Sequence, residues 1–266
     1  MELLQKFSTI KRGKATFVQN VIDKMIMNLE ELEQKYNFKY PDLYKRLHND
    51  NMLDWGESGP DWYLTTLPTL KKKPPLLLFG NDIEIWKDQQ LVEAAIQEMS
   101  EEDDYRNIHE NYKFVPFAKN GAGDLYVFQY DLEDNGEVPV SFIPHDEEEG
   151  EVLAKNFQDF IFRQLLEAVI EIDEDSMFYE EEEEELKQNL FSQLKTHEPY
   201  LSSGQIEILH TIYQRDIFEY TYKVPNGHIF EAEGLVTFDE VDDIINREMA
   251  FDYQNKKFNY TTCWIS

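Results

Sequence analysis

The stretch that decides the fold runs over residues 114–132, FVPFAKNGAGDLYVFQYDL, and resumes over residues 136–166 as GEVPVSFIPHDEEEGEVLAKNFQDFIFRQLL. Large Phe, Tyr and Val residues recur at period two, and the turn-forming clusters AKNGAG and EDNGE divide the run into segments 112–117, 123–131 and 138–143. Alternation at that period predicts strands, and connections of hairpin length make neighbours antiparallel. The three strands are therefore expected side by side in one sheet. A helix follows from Asn156, with Asp159 three residues on in a spacing that resembles a capping box. Its buried side is Phe157, Phe160, Ile161, Leu165, Ala168 and Val169. Alternation alone leaves open whether Val127, or its neighbours Tyr126 and Phe128, faces that helix.

Upstream, Val18, Val21, Ile22, Met25, Ile26, Leu29, Leu32 and Tyr36 fall at three-and-four spacing and predict one amphipathic helix over residues 18–36. Pro41 separates it from a shorter helix over residues 42–48, with Leu43, Tyr44 and Leu47 inward. Residues 76–79 read as a short buried strand, and residues 88–99 as a helix with Leu91, Val92, Ala95 and Ile96 on one side. Downstream, ten of the fifteen residues 171–185 are acidic, including six consecutive glutamates at 180–185. Such a block reads as an exposed linker or helix end that binds no metal specifically, and it marks a boundary. Beyond it come a helix near residues 203–214, a hairpin over residues 218–231 turning at Val224-Pro225-Asn226-Gly227, a helix after Thr237 and a terminal strand over residues 258–265. The expected organisation is a first domain over residues 1–170, an acidic linker or helix over 171–190, and a small C-terminal α+β module over 191–266, either independent or packed on the first domain.

Composition limits the function. At 41% hydrophobic and 14% aromatic the chain has the material for a core, which excludes global disorder. Against 25 Lys and Arg stand 54 Asp and Glu, a formal charge of -29, so a phosphate backbone meets net repulsion and basic proteins are attracted. Direct nucleic-acid binding is not expected. The lone Cys263 makes no internal disulfide, the N-terminus lacks the apolar run of a signal peptide, and no 18-residue apolar stretch occurs; a cytoplasmic protein without a membrane span is the expectation.

No catalytic constellation stands out. Gly121-Ala122-Gly123 lacks the Lys-Ser/Thr ending and following helix of a phosphate loop. Asp131, Glu133, Asn135 and Gly136 match a calcium loop until its twelfth position, which is Phe142. The six histidines include no HxxxH pair. Ser141, His145 and Asp146 supply the residue types of a hydrolytic triad, but lie too close in sequence and lack a nucleophile elbow. No catalytic residue, metal ligand or cofactor is assigned.

The order of elements resembles the SUKH superfamily, which includes the Smi/Knr-like regulators of fungal cell-wall synthesis and many bacterial immunity proteins. The resemblance lies in Pro116 and Phe117, the turn at Gly121 and Gly123, the strand from Leu125 to Tyr130, the strand and loop from Val140 to His145, and Phe157 and Phe160 at the start of the closing helix. LEELEQKYNFKYPDLYKRL matches the family's first helix, proline break and second helix. The match covers residues 18–169. It implies an α+β fold, a mixed or antiparallel sheet flanked by helices, to which this chain adds its C-terminal α+β module. It also implies a non-enzymatic protein that binds another protein, often a toxin domain such as a nuclease. An immunity protein occluding its toxin's active face is the first expectation, and a regulatory scaffold is the alternative. The contacting residues expected are Asp146, Glu147, Glu148, Glu149 and Glu151, an acidic loop beside His145; the same acids also suit a helix start, where the macrodipole favours negative charge. The oligomeric state stays open.

Overall fold

The computed structural model describes residues 28–261, except residues 58, 102–103, 105, 173–181, 225–226 and 250–255. Helix α1, Leu29–Tyr36, opens at Asn28, whose side chain accepts the Glu31 amide while the Glu31 carboxylate accepts the Asn28 amide. Asn28 is extended, with ψ 168°, so no helix passes through it as the apolar spacing predicts, and residues 18–27 lie outside the described residues. Helix α2, Asp42–Asn49, starts after Pro41 and buries Tyr44 and Leu47. Two short helices follow, α3 at Trp62–Thr65 and α4 at Leu67–Leu70.

Residues 76–79 are fully buried, as their apolar run requires, yet they form turns and no strand. Leu77 takes a left-handed φ of 53°, and Gly80 N–H closes onto the Leu77 carbonyl at 2.8 Å. A four-residue apolar run specifies burial but not a partner strand. The next elements are β1, Glu84–Ile85, and α5, Gln89–Met99, in which Leu91 points outward at 49% exposure instead of joining Val92, Ala95 and Ile96.

The three expected strands are β2, Phe114–Lys119, β3, Leu125–Gln129, and β4, Val140–Ile143, adjacent and antiparallel. Strand β5, Glu149–Ala154, comes next, then α6, Phe157–Glu167, capped by the Asn156 side chain on the Asp159 amide. With the short C-terminal strand β8, Lys257–Asn259, the six-stranded sheet has the order β1-β2-β3-β4-β5-β8. Pro116 sits in β2 where the register shifts, and Phe117 has no cross-strand partner. A bulge is where a strand tolerates a residue without an amide hydrogen. Phe117 packs against Phe128, Phe157 and Phe160 at centroid distances of 4.5, 5.2 and 5.6 Å. Tyr126 meets Phe160 at 5.6 Å and Phe128 meets Phe157 at 5.2 Å, so these two, not Val127, form the helix-facing set. On the other face Phe114, Phe258 and Tyr260 pack together, and the sheet curls until Thr261 bridges Ile108 just ahead of β2.

The C-terminal region consists of α7, Glu183–His197, α8, Ser203–Tyr213, the hairpin β6, Phe218–Lys223, with β7, Ile229–Gly234, and α9, Phe238–Glu248. Glu182 to Glu185 are exposed, as the cap and first turn of α7, where negative charge suits the helix dipole; Glu180 and Glu181 lie outside the described residues. The region packs on the first through one continuous apolar core and through specific bonds. Tyr213 Oη donates to the Leu165 carbonyl at 3.0 Å, and Gln205 Nε2 to Asp159 Oδ1 at 2.9 Å. Phe79 N–H donates to Gln193 Oε1 at 2.9 Å. Gly234 allows the closest approach: a Cβ there would stand 2.0 Å from the Ile170 carbonyl oxygen. The terminal strand is shorter than expected among the described residues, and residues 262–266, with Cys263, lie outside them.

Candidate functional site

The acidic run sits where β4 passes to β5. It is not one loop. Asp146, Glu147 and Glu148 form the connection, whereas Glu149 and Glu151 belong to β5 and pair with Asn259 and Lys257 of β8. The physical reason is the apolar continuation Val152, Leu153 and Ala154, all buried, which carries the acidic residues ahead of it into the ladder. Asp146, Glu147, Glu148 and Glu149 are exposed. Glu151 turns to the helix side, half-buried and 3.7 Å from the Arg163 guanidinium, so the structure brings four of the five together on the surface and sets the fifth apart.

Two devices fix this connection. Asp124, just before β3, accepts the His145 amide on Oδ1 at 2.8 Å and holds the imidazole Nδ1 at 2.6 Å, while its Oδ2 accepts from Asn120 at 2.8 Å. The Asp124 contact raises the His145 pKa above its ordinary value. Burial pushes the Asp124 carboxyl up, but the His145 and Asn120 hydrogen bonds together outweigh it and hold the pKa below the usual range. From the C-terminal strand, the buried Tyr260 places its hydroxyl 2.6 Å from the carbonyl oxygens of both Pro144 and Glu147, and its amide donates to the Glu148 carbonyl at 3.2 Å. Neither device was visible in the sequence, because Asp124 lies 21 residues away from its partner and Tyr260 lies 113 residues from Glu147.

The chemistry available here is that of a fixed anionic surface. Asp124, His145 and Asp146 are the one group of metal-donor side chains gathered within 4.8 Å among the described residues, but His145 Nδ1 and Asp124 Oδ1 already satisfy each other. Ser141, the would-be nucleophile beside them in sequence, is fully buried and donates to Gln129 Oε1 at 2.6 Å. The calcium-like segment is a tight turn closed by an Asp134–Glu137 bridge, with Asn135 and Gly136 both left-handed at φ 53° and 85°.

Helices packed on an antiparallel sheet, with a polar connection held at the sheet end, define an α+β protein. The family model described as SMI1 / KNR4 family (SUKH-1) matches residues 27–163, more than half of the chain. The chain belongs to this family. No curated protein and no solved structure matched it. Everything from α7 onward lies beyond the matched region, including Tyr260. Among the described residues no helix is long and apolar enough to cross a membrane.

Proposed function

We propose that the protein is a non-enzymatic immunity protein that binds a basic toxin domain, such as a nuclease, in the cytoplasm and occludes its active face with the edge formed by Asp146, Glu147, Glu148 and Glu149. The observation that carries this reading is the display of those four exposed carboxylates on a connection hydrogen-bonded at its base by Asp124, His145 and Tyr260, on a chain of formal charge -29. A toxin that handles an anionic substrate presents cationic groups, and a complementary surface steers it into contact at rates that fall with salt. Family membership fits a protein of the immunity type.

The test starts with affinity capture from the native host, identification of the bound protein and assay of that protein's own activity with and without one equivalent of this chain. Inhibition at one-to-one stoichiometry is expected. Association kinetics are then compared for the wild type and the combined Glu147→Gln, Glu148→Gln and Glu149→Gln variant. The variant should melt like the wild type, because exposed charges contribute little to stability, yet associate more slowly and with weaker salt dependence. Equal association rates at low ionic strength refute this surface as the contact.

A further inference from the structure

The β6–β7 hairpin forms a two-stranded sheet of its own, and one edge of it has no partner strand among the described residues. Register and bonding fix which edge. Glu233 accepts the Ile172 amide on its carbonyl, and Leu235 donates to the Val169 carbonyl, so the outer side of β7 is occupied by residues 169–172. Glu233 stands opposite Glu219, Glu231 opposite Thr221, and Ile229 opposite Lys223. In an antiparallel ladder, residues opposite an outward-pointing partner also direct their N–H and C=O groups outward. The outer backbone groups of β6 therefore belong to Glu219, Thr221 and Lys223. All three residues are exposed, and no hydrogen bond among the described residues reaches those groups.

Such an edge is a template for strand addition, and it carries neither proline nor bulge to prevent it. Its guards are the two exposed charges, Glu219 and Lys223. The sequence Glu219-Tyr220-Thr221-Tyr222-Lys223 is chemically symmetric about Thr221. Laid antiparallel on a second copy of itself across a two-fold axis at Thr221, the strand sets Glu219 opposite the other copy's Lys223, Tyr220 opposite Tyr222, and Thr221 opposite Thr221. Each is a favourable cross-strand pair, and the three outward residues of each copy exchange their backbone bonds in register. Both charges then cease to be guards, because each meets its opposite. The same pairing extends an aromatic row, exposed at Phe218 and Phe230 and half-buried at Tyr220 and Tyr222, in which Phe218 and Tyr220 lie 5.8 Å apart, Tyr220 and Tyr222 6.3 Å, and Tyr222 and Phe230 5.7 Å.

We infer that the protein forms a two-fold dimer through β6, giving a continuous four-stranded sheet in the order β7-β6-β6-β7. A closed isologous contact of this kind uses one self-complementary patch. Two chains of charge -29 repel at long range, so the contacting strand must not add to that repulsion; β6 itself carries no net charge, with Glu219 and Lys223 towards its two ends, and the exposed Glu231 and Glu233 of β7 stand one strand further from the contact. Repulsion between more distant charges is screened beyond roughly 10 Å at about 0.1 M salt. This inference does not depend on the toxin reading.

Sedimentation velocity of the full chain near physiological salt, over a micromolar concentration series, is the test. The wild type is expected to approach twice the 31.7 kDa chain mass. Lys223→Glu faces Glu219 with a like charge at both ends of the pairing, and Glu219→Lys does the same with Lys223; each should raise the dimer dissociation constant by roughly tenfold or more. The double exchange, Glu219→Lys with Lys223→Glu, restores opposite charges and should restore the dimer. All four proteins should share one far-ultraviolet circular dichroism spectrum, since both side chains are exposed. A wild type that stays monomeric throughout the series overturns the inference. So does a dimer indifferent to Lys223→Glu, or a double exchange that remains as weak as the single variants.

Discussion

His197 offers the sharpest test of how the C-terminal region is joined to the sheet domain. The imidazole is fully buried at the end of α7, Nδ1 lies 2.7 Å from the Gln193 carbonyl oxygen, and Nε2 accepts the Leu77 amide at 3.1 Å. That pairing fixes a neutral tautomer, with the proton on Nδ1. A proton on Nε2 would set a donor against the Leu77 donor in a site without water contact. Burial accordingly pushes the His197 pKa down to about 4. An unfolded histidine titrates near 6.5, so between those values the unfolded chain binds the extra proton and acid favours unfolding. The stability contributed by neutral His197 is complete above about pH 6.5 and is lost progressively as pH falls towards 4. At ~1.4 kcal/mol per pH unit the loss by pH 4.5 is about 2.5 kcal/mol, a sizeable part of a domain's total stability. Many carboxylates titrate over part of the same range, so the quantity to measure is a difference. Urea unfolding of the wild type and of His197→Gln, at pH 7.5 and 4.5, isolates it, because glutamine offers both a donor and an acceptor but no titrating nitrogen. The gap between the two proteins should shift by about 2.5 kcal/mol in favour of the variant at pH 4.5. A gap that does not change with pH refutes the assignment of a buried neutral imidazole here.

Two further outcomes are expected. Phe160 is fully buried between Phe117, Tyr126 and Phe157, and its truncation to Ala should cost ~3 to 5 kcal/mol in denaturant unfolding; an unchanged midpoint would remove it from the core. Tyr260→Phe deletes the hydroxyl that meets the Pro144 and Glu147 carbonyls, which should lower stability by about 1 kcal/mol and speed amide hydrogen exchange across residues 145–148, whereas unaltered exchange there would show that the hydroxyl does not hold the connection.

Legibility in the sequence followed the range of the interaction. Strands β2, β3 and β4 and helix α6 were readable because alternation, hairpin turns and the Asn156 cap are all local signals. The pattern failed where the partner is remote. In β5 the opening Glu149-Gly150-Glu151 looks like a solvated loop, but the buried Val152, Leu153 and Ala154 behind it draw it into the ladder beside β4, and β8 arrives from about a hundred residues downstream to pair its other side. Helix α7 hid for a related reason. Its buried side includes Leu186, Leu190 and Leu194, but also Asn189, Gln193 and His197, polar residues that blur the apolar period. Two of them, Gln193 and His197, are explained by residues 77 and 79, whose amides lack strand partners and bond to these side chains instead. The turn at 76–79 and the polar stripe of α7 are thus two halves of one device, and neither half is interpretable alone. For the candidate site, the exposed acids were legible as composition, but the groups that fix them were not.

That division bears on how the acidic edge would act. Four adjacent carboxylates on an unrestrained loop would spread apart by mutual repulsion, and a partner would have to gather and order them, at a cost of roughly 0.5 to 1.5 kcal/mol for each immobilised side chain and more for the backbone. Here the backbone part of that ordering is done in advance. Asp124 and His145 hold one end of the connection, Tyr260 the middle, and the β5–β8 ladder fixes Glu149. Of these, β8 and Tyr260 lie outside residues 27–163, the region shared with the family. The C-terminal extension is therefore more than an addition to a self-sufficient domain. It adds β8 to the sheet, bridges Ile108 at Thr261, inserts the ring that holds the β4–β5 connection, and so gives an acidic composition a defined surface. Net charge alone would attract any basic protein. A rigid arrangement of the same charges can discriminate among them, because only a partner whose cations match its spacing recovers the full interaction without further ordering.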